Sequence, residues 1–438
     1  MTELAGPQLA GRGPALLGLL VLLAVLVVVV ALDTPWRVQA VPAGGRTAVD
    51  PGRDFTAAEA AREEAFHAAV RPPAYAALAL GVLLAAAFGV TSAGARLAGA
   101  LAGPLGGGWV WQVLLGGLVL ALAGELVTAP LAARAELVLR HYGLSTRDWS
   151  GWLADLAKAF GLGTGITLAA LLAGYAVIRA APATWWAWTG LGGAALLVVL
   201  SFGYPLLVEP VFNRFASMQD GPLRTSLLRL AADDGVPVRD VLVADASRRT
   251  TALNAYVSGL GATRRIVVYD TLLRTGSDRQ VRLVVAHELG HAKRHDVLRQ
   301  TLLGALGVSA ASCAAYLVLS WPPLLHRAGV AAAGDGRSVA LLLFLGLAAG
   351  MVCQPAPLLL SRRVEATADV HSLDLTRDPA GFVEMERTLA VTNIADLDPH
   401  PVRYALFASH PTAPRRIALA RDWARLHGVP EPAAGASR

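Results

Sequence analysis

Stretches of unbroken apolar sequence recur along this chain, each long enough to cross a bilayer, and they constrain its fold more than any motif does. They fall at residues 15–32, 74–94, 109–131, 159–178, 185–207, 297–319 and 339–360. About 20 consecutive apolar residues span the hydrocarbon layer as a helix. Within that layer a helix satisfies its own backbone polar groups, so these seven runs read as membrane-spanning helices. Only 16% of the 438 residues are charged, too few for a soluble protein of this length. The first run invites comparison with a secretory signal, with Val38-Gln39-Ala40 as a poor cleavage site. It is longer than a usual signal core and only Arg12 precedes it, so a retained first span is expected.

Seven spans place the termini on opposite sides. The connections after spans one, three and five then share a side with the C-terminal segment. Their short loops carry Arg37, Arg46, Arg53, Arg62, Arg71, Arg134, Arg140 and Arg147, against Arg12, Arg96, Arg179, Arg327 and Arg337 opposite. Positive charge collects in cytoplasmic loops, so the arginine-rich side is expected to face the cytoplasm, with the N-terminus outside a plasma membrane. The net charge of +6 belongs to those loops. No basic stretch is interleaved with aromatics, so a nucleic-acid partner is not expected. Cys313 and Cys353 both lie in apolar runs and imply no disulfide framework. Glu125, inside the third run, reads either as a chamber-lining carboxylate or as a polar contact between helices.

In the connections, a helix is expected around 57–70 and an amphipathic helix before span four, with Ser145 as its N-cap. Two segments outside the spans carry the chemistry. In the first, helix 222–234 and strands 241–244 and 265–269 flank Asn254-Ala255-Tyr256-Val257-Ser258-Gly259, whose alternation suits an edge strand. A helix over 279–294 follows, with Ser277 or Asp278 as N-cap, and contains His287-Glu288-Leu289-Gly290-His291. Residues four apart on a helix share a face, so two imidazoles can grip one zinc ion while Glu288 reaches a water on it. A catalytic zinc takes three protein ligands and leaves one position open. Glu365, after the last span, is the best-spaced third ligand; His295 and Asp296 are alternatives. Asp369, one turn beyond Glu365, can accept the second ring N–H of a ligand histidine. In Ser409-His410-Pro411, His410 can stabilise an oxyanion, with Arg416 nearby. Glu288 would act as general base.

These separate segments together resemble the type-1 CAAX prenyl endopeptidases, membrane-integrated zinc metallopeptidases. The similarity covers 142–158, 204–215, 254–273, 287–291, 361–369 and 409–417. It implies one zinc per chain on His287, His291 and Glu365, with Glu288 as base and His410 and Arg416 serving the transition state. It implies substrate backbone held along Asn254, Ala255 and Tyr256 by strand addition. The fold it implies is mainly α: seven membrane helices around a chamber, with a small α+β metallopeptidase unit at its cytoplasmic end. Expected boundaries are 1–207 for spans one to five, 208–296 and 361–428 for the catalytic segments, 297–360 for the last two spans, and 429–438 for a disordered tail. Expected partners are the bilayer and a peptide or membrane-protein substrate. The Ala, Gly, Leu and Arg-rich usage suggests a high-GC bacterium, where prenylated substrates are not expected. An HtpX-type quality-control protease and a non-catalytic zinc-binding scaffold are the competing readings.

Overall fold

The computed structural model describes residues 10–259 and 261–435. The long N-terminal helices are α1 (Arg12–Asp33), α2 (Ala57–Gly89), α3 (Ser92–Ala102), α4 (Trp109–His141), α5 (Trp149–Ala180) and α6 (Trp185–Leu207). Then come β1 (Phe215–Ser217), α7 (Pro222–Asp233), β2 (Asp240–Ala244), β3 (Ala255–Ser258), β4 (Arg265–Tyr269) and α8 (Asp278–Lys293). Helices α9 (Asp296–Leu319), α10 (Val339–Cys353), α11 (Pro355–Thr376), α12 (Pro379–Asn393), α13 (Pro401–Phe407) and α14 (Ala413–Leu426) complete the chain. Among the described residues seven helices are long and apolar enough to cross a membrane, as expected. Their outer faces leave Val27, Leu83, Leu126, Leu191 and Leu206 exposed, which in a bilayer is contact with lipid.

Several helices are longer than the sequence suggests. The polar helix expected near 57–70 and the span expected from 74 form one helix, α2, running through Pro72 and Pro73. Its start is fixed by a capping box, in which Glu59 N–H donates to Thr56 Oγ1 and Thr56 N–H to the Glu59 carboxylate. The amphipathic helix before span four likewise fuses with it as α5. Its N-cap is Asp148, which accepts from Gly151 N–H at 2.7 Å, and not Ser145. Ser145 instead donates to Glu136 Oε1 at 2.6 Å. The seventh run, expected to reach 360, divides before Pro355 into α10 and α11; Pro355 lacks the N–H that would continue the α10 ladder and suits the first position of a new helix.

The sheet has the order β1-β2-β4-β3. β2 and β4 are parallel, whereas β1 and β3 pair antiparallel at the two edges. β3 is therefore an edge strand, as expected, and β1 was not foreseen. A core of Leu227, Ile266, Val268, Leu283, Val285, Leu289, Phe382, Ile417 and Trp423 joins the sheet to α7, α8, α12 and α14. Burying each such side chain contributes roughly 1.5–3 kcal/mol.

The connections after spans one and three both touch the α+β unit. Thr250 Oγ1 donates to Leu144 O at 2.9 Å, tying the loop after α4 to the sheet region. The connection after α1 crosses α14 as a strap: Thr47 N–H donates to Asp422 Oδ1 at 2.7 Å and Gln39 Nε2 to Leu419 O at 3.2 Å. Arg421 grips Asp54 with both terminal nitrogens, at 2.7 and 2.5 Å, and each residue is 1% exposed. Residues 429–435 of the expected tail lie over this pair, where Arg421 also donates to the Pro432 and Ala433 carbonyls; 436–438 lie outside the described residues.

Candidate metal centre

α8 begins with a capping box between Ser277 and Gln280. Its buried face, Val281, Leu283, Val285 and Leu289, packs into the core and turns His287 and His291 toward α11. α11 comes close because residue 290 is glycine: a Cβ there would stand 3.0 Å from the His371 ring. That approach delivers Glu365, 8% exposed, to the two histidines.

The two Nε2 atoms are 3.2 Å apart. Glu365 Oε2 is 3.3 Å from His287 Nε2, and Oε1 is 3.6 Å from His291 Nε2. Ligand atoms about 2.0–2.1 Å from a tetrahedral zinc ion stand roughly 3.3 Å from one another, so the convergence fits that ion. A buried Glu365 Oε2 with no hydrogen-bond donor of its own fits it too. Two neutral nitrogens and one carboxylate oxygen are the donor set zinc favours. His295 and Asp296 do not join this group. His295 Nδ1 faces Arg264 at 3.2 Å, and Asp296 Oδ2 lies 2.9 Å from Nδ1 of His291, on the far side of that ring.

The surroundings favour positive charge. Burial opposes protonation of His287, but Asp369 and Glu365 outweigh it and push the ring up to about 10. Burial would raise Glu365 as well, yet His287 brings it down to about 2. Asp369 is fully buried and held well below the usual carboxylate range by Arg416 and His287 despite that burial. Its Oδ1 is 2.9 Å from His287 Nδ1, the position expected for a partner of the second ring nitrogen. Burial raises Glu288 above the ordinary range.

A cavity of about 980 Å³ opens over these groups. Glu288, His410 and Arg416 line it, as do Asn254, Ala255 and Tyr256 along the β3 edge, so the structure brings together every site residue singled out in the sequence. His410 Nε2 is 3.3 Å from Glu365 Oε1. Arg416 is less free than expected. Its Nε donates to Asp369 Oδ2 at 2.9 Å, and Nη1 lies 3.0 Å from Glu386 Oε1. Burial raises Glu386 to about 7 in spite of that guanidinium. The cavity continues past Leu197 and Ser201 of α6 and Thr301 and Gly304 of α9, into the membrane helices.

Three residues at the site escaped sequence reasoning in these roles: Asp296, Glu386 and Asn393. Asn393 Oδ1 accepts from Leu253 N–H at 2.9 Å and its Nδ2 donates to Leu253 O at 3.2 Å, next to Asn254. A signal existed only for Asp296, an acid just beyond the motif. The other two owe their place to the packing of α12.

A membrane bundle that joins a His-Glu-x-x-His helix and a distant glutamate at one cavity defines a membrane-integrated metalloendopeptidase. Residues 217–424 match the model of peptidase family M48, and residues 74–214 match that of the CAAX prenyl protease N-terminal domain, described as five membrane helices. The chain belongs to peptidase family M48, whose metal is typically zinc. It is 30% identical over 309 residues to the uncharacterized metalloprotease YhfN of Bacillus subtilis, covering 68% of this chain and 71% of that one. It is 29% identical over 192 residues to CAAX prenyl protease 1 of Saccharomyces cerevisiae, 43% of this chain and 42% of the yeast protein. The match to the Dictyostelium discoideum homologue is 31% over 219 residues, 49% of this chain and 50% of the relative, so the chain spans about half or less of these two relatives. The crystal structure of S. mikatae Ste24p shares the fold, with a TM-score of 0.66 and 22% identity over 71% of this chain and 76% of that one.

Proposed function

We propose that this chain hydrolyses peptide bonds of peptides or membrane-associated proteins at the cytoplasmic face, with Glu288 as general base. The observation that carries this reading is the convergence of His287 Nε2, His291 Nε2 and the Glu365 carboxylate, 3.2 to 3.6 Å from one another, in the lining of a cavity. A zinc ion held by these three residues would supply Lewis acidity to a water and to the scissile carbonyl. Glu288 takes the proton from that water and passes it to the leaving amine. Its burial raises its proton affinity toward the range a general base needs. His410 donates to the oxyanion, a role supported by its position 3.3 Å from Glu365. Arg416 holds Asp369, and through it the His287 ring, while presenting positive charge to the cavity wall. The free edge of β3 at Asn254, Ala255 and Tyr256 takes the substrate backbone as an added strand.

The cytoplasmic assignment rests on the arginine bias of the loops that share a side with the site. The names of the relatives suggest lipid-modified peptides as one substrate class, and the continuation of the cavity between α6 and α9 would accommodate an apolar substituent.

The test is zinc content and cleavage of a quenched peptide library, measured on the detergent-solubilised wild type and on Glu288→Gln. One zinc in both proteins with hydrolysis only by wild type is expected. Full hydrolysis by Glu288→Gln would overturn the assignment of the base.

A further inference from the structure

The helix that carries the histidines and the membrane helix that follows it are separated by two residues, Arg294 and His295. The turn between them is tight, and His295 adopts φ 55°, a left-handed conformation that a side chain makes costly. Arg264, 8% exposed, braces the turn by donating to Ala292 O at 3.2 Å and facing His295 Nδ1 at 3.2 Å. The conformation therefore has a purpose to be found. What it does is set Asp296, the first residue of α9, against the back of the His291 ring.

Asp296 is 3% exposed. A carboxylate buried that far is costly unless its oxygens are engaged. Oδ1 faces Arg294 Nε at 3.5 Å, and the residue stands in the first helical turn of α9, where a negative charge is favoured. Among the described residues Oδ2 meets only His291, at 2.9 Å. The ring nitrogen it meets is Nδ1, while Nε2 points at His287 and Glu365. A carboxylate on Nδ1 accepts its proton, leaves the lone pair on Nε2, fixes the ring plane and makes Nε2 a stronger donor to a cation. His287 has the same arrangement with Asp369, but from α11.

We infer that Asp296 is a positioning residue for His291, so that the first turn of membrane helix α9 is a working part of the metal centre. The inference rests on the zinc reading above and extends it. One histidine is oriented by the α+β unit and the other by the membrane bundle. α9 is in turn tied to α1, where Arg299 Nη1 lies 3.3 Å from Asp33 Oδ1. Metal affinity thus depends on how the membrane helices hold that turn.

The experiment uses the full chain in detergent or nanodiscs. Zinc affinity is measured by competition with a chromogenic chelator, and the ligand field by the visible spectrum of the cobalt(II)-loaded protein, for wild type, Asp296→Asn and Asp296→Ala. Asn keeps an acceptor of the same shape without charge, so this variant folds even where Ala does not. Expected is weaker zinc binding by about 10–100-fold for Ala, a smaller loss for Asn, and a shifted cobalt band. A Lys293→Met variant, which breaks the 2.7 Å pair between the end of α8 and Asp234 at the end of α7 without touching the histidines, should lower the melting temperature and leave zinc affinity alone. Wild-type zinc affinity and cobalt spectrum in both Asp296 variants, with only a lowered melting temperature, would reduce Asp296 to a helix-start residue and overturn the inference while the zinc reading stood. A wild type that binds no zinc would overturn both.

Discussion

Asn393 closes both backbone groups of Leu253, accepting from its N–H at 2.9 Å and donating to its carbonyl at 3.2 Å. One side-chain amide thus holds the peptide that leads into the β3 edge. The next residue, Ile394, has φ 49°, and the chain tolerates that strain in a β-branched residue where α12 must end to present the amide. Replacing Asn393 with Ala leaves two backbone groups without partners, at about 1–3 kcal/mol. Because the loss falls on the strand proposed to bind substrate and not on the metal, KM should rise more than kcat falls. Steady-state kinetics on a peptide substrate checks this, and an unchanged KM would separate Asn393 from substrate binding.

Glu365→Ala removes the one proposed metal ligand that comes from outside α8. Zinc should be lost from the purified protein, together with hydrolysis, while the apolar core beneath the site stays packed. Metal analysis after dialysis provides the check. Treating wild type with a strong chelator should reproduce the same inactive state, and added zinc should reverse it.

The buried pair of Arg421 and Asp54 gives a prediction for stability. Asp54→Ala strands a guanidinium that is 1% exposed, which costs about 3–5 kcal/mol. The strap should then come away from α14 and become open to limited proteolysis between residues 34 and 55. Joint replacement by Leu at 54 and Met at 421 should restore much of the thermal stability, since it leaves no unpaired charge.

Asp378 predicts an acid limb. It caps α12 by accepting from Gly381 N–H at 2.9 Å, and Arg279 Nε donates to it at 2.6 Å. Burial would raise this carboxyl, but Arg279 and the Gly381 N–H outweigh it and leave the group below its ordinary value. A depressed folded-state value contributes stability that is present above the unfolded value, near 3.9, and is lost as pH falls through the folded one. Thermal unfolding of Asp378→Asn should therefore be less steep than wild type below about pH 4. Identical slopes would assign the acid limb to other carboxylates.

Much of this molecule was legible because its signals are local. Seven apolar runs, the Ser277 cap and the four-residue spacing of His287 and His291 each depend on neighbours in sequence. Glu365 was legible at a distance only because a lone acid after two arginines at the end of a span stood out. What was missed is what local pattern does not encode. Spacing admits Asp296 to the neighbourhood of a metal, but only the fold reveals that it meets Nδ1 of His291 rather than the ion. The helix expected around 57–70 and the span expected from 74 are one, α2, which starts at the capping box of Thr56 and runs through Pro72 and Pro73. Ser145 had the chemistry of an N-cap, but Glu136, buried at 2% exposure, needed its hydroxyl more.

The strap has a consequence for how the protein comes to be made. Asp54 leaves the ribosome 367 residues before the arginine that buries it. Until α14 has been synthesised, that carboxylate has no partner and the α+β unit lacks Trp423 and Ile417 of its core. Arg416, which locks Asp369 behind His287, arrives in the same late stretch. The chain can therefore insert its membrane helices while its hydrolytic centre still waits for α14, so a copy in the membrane that lacks this helix is an inert one.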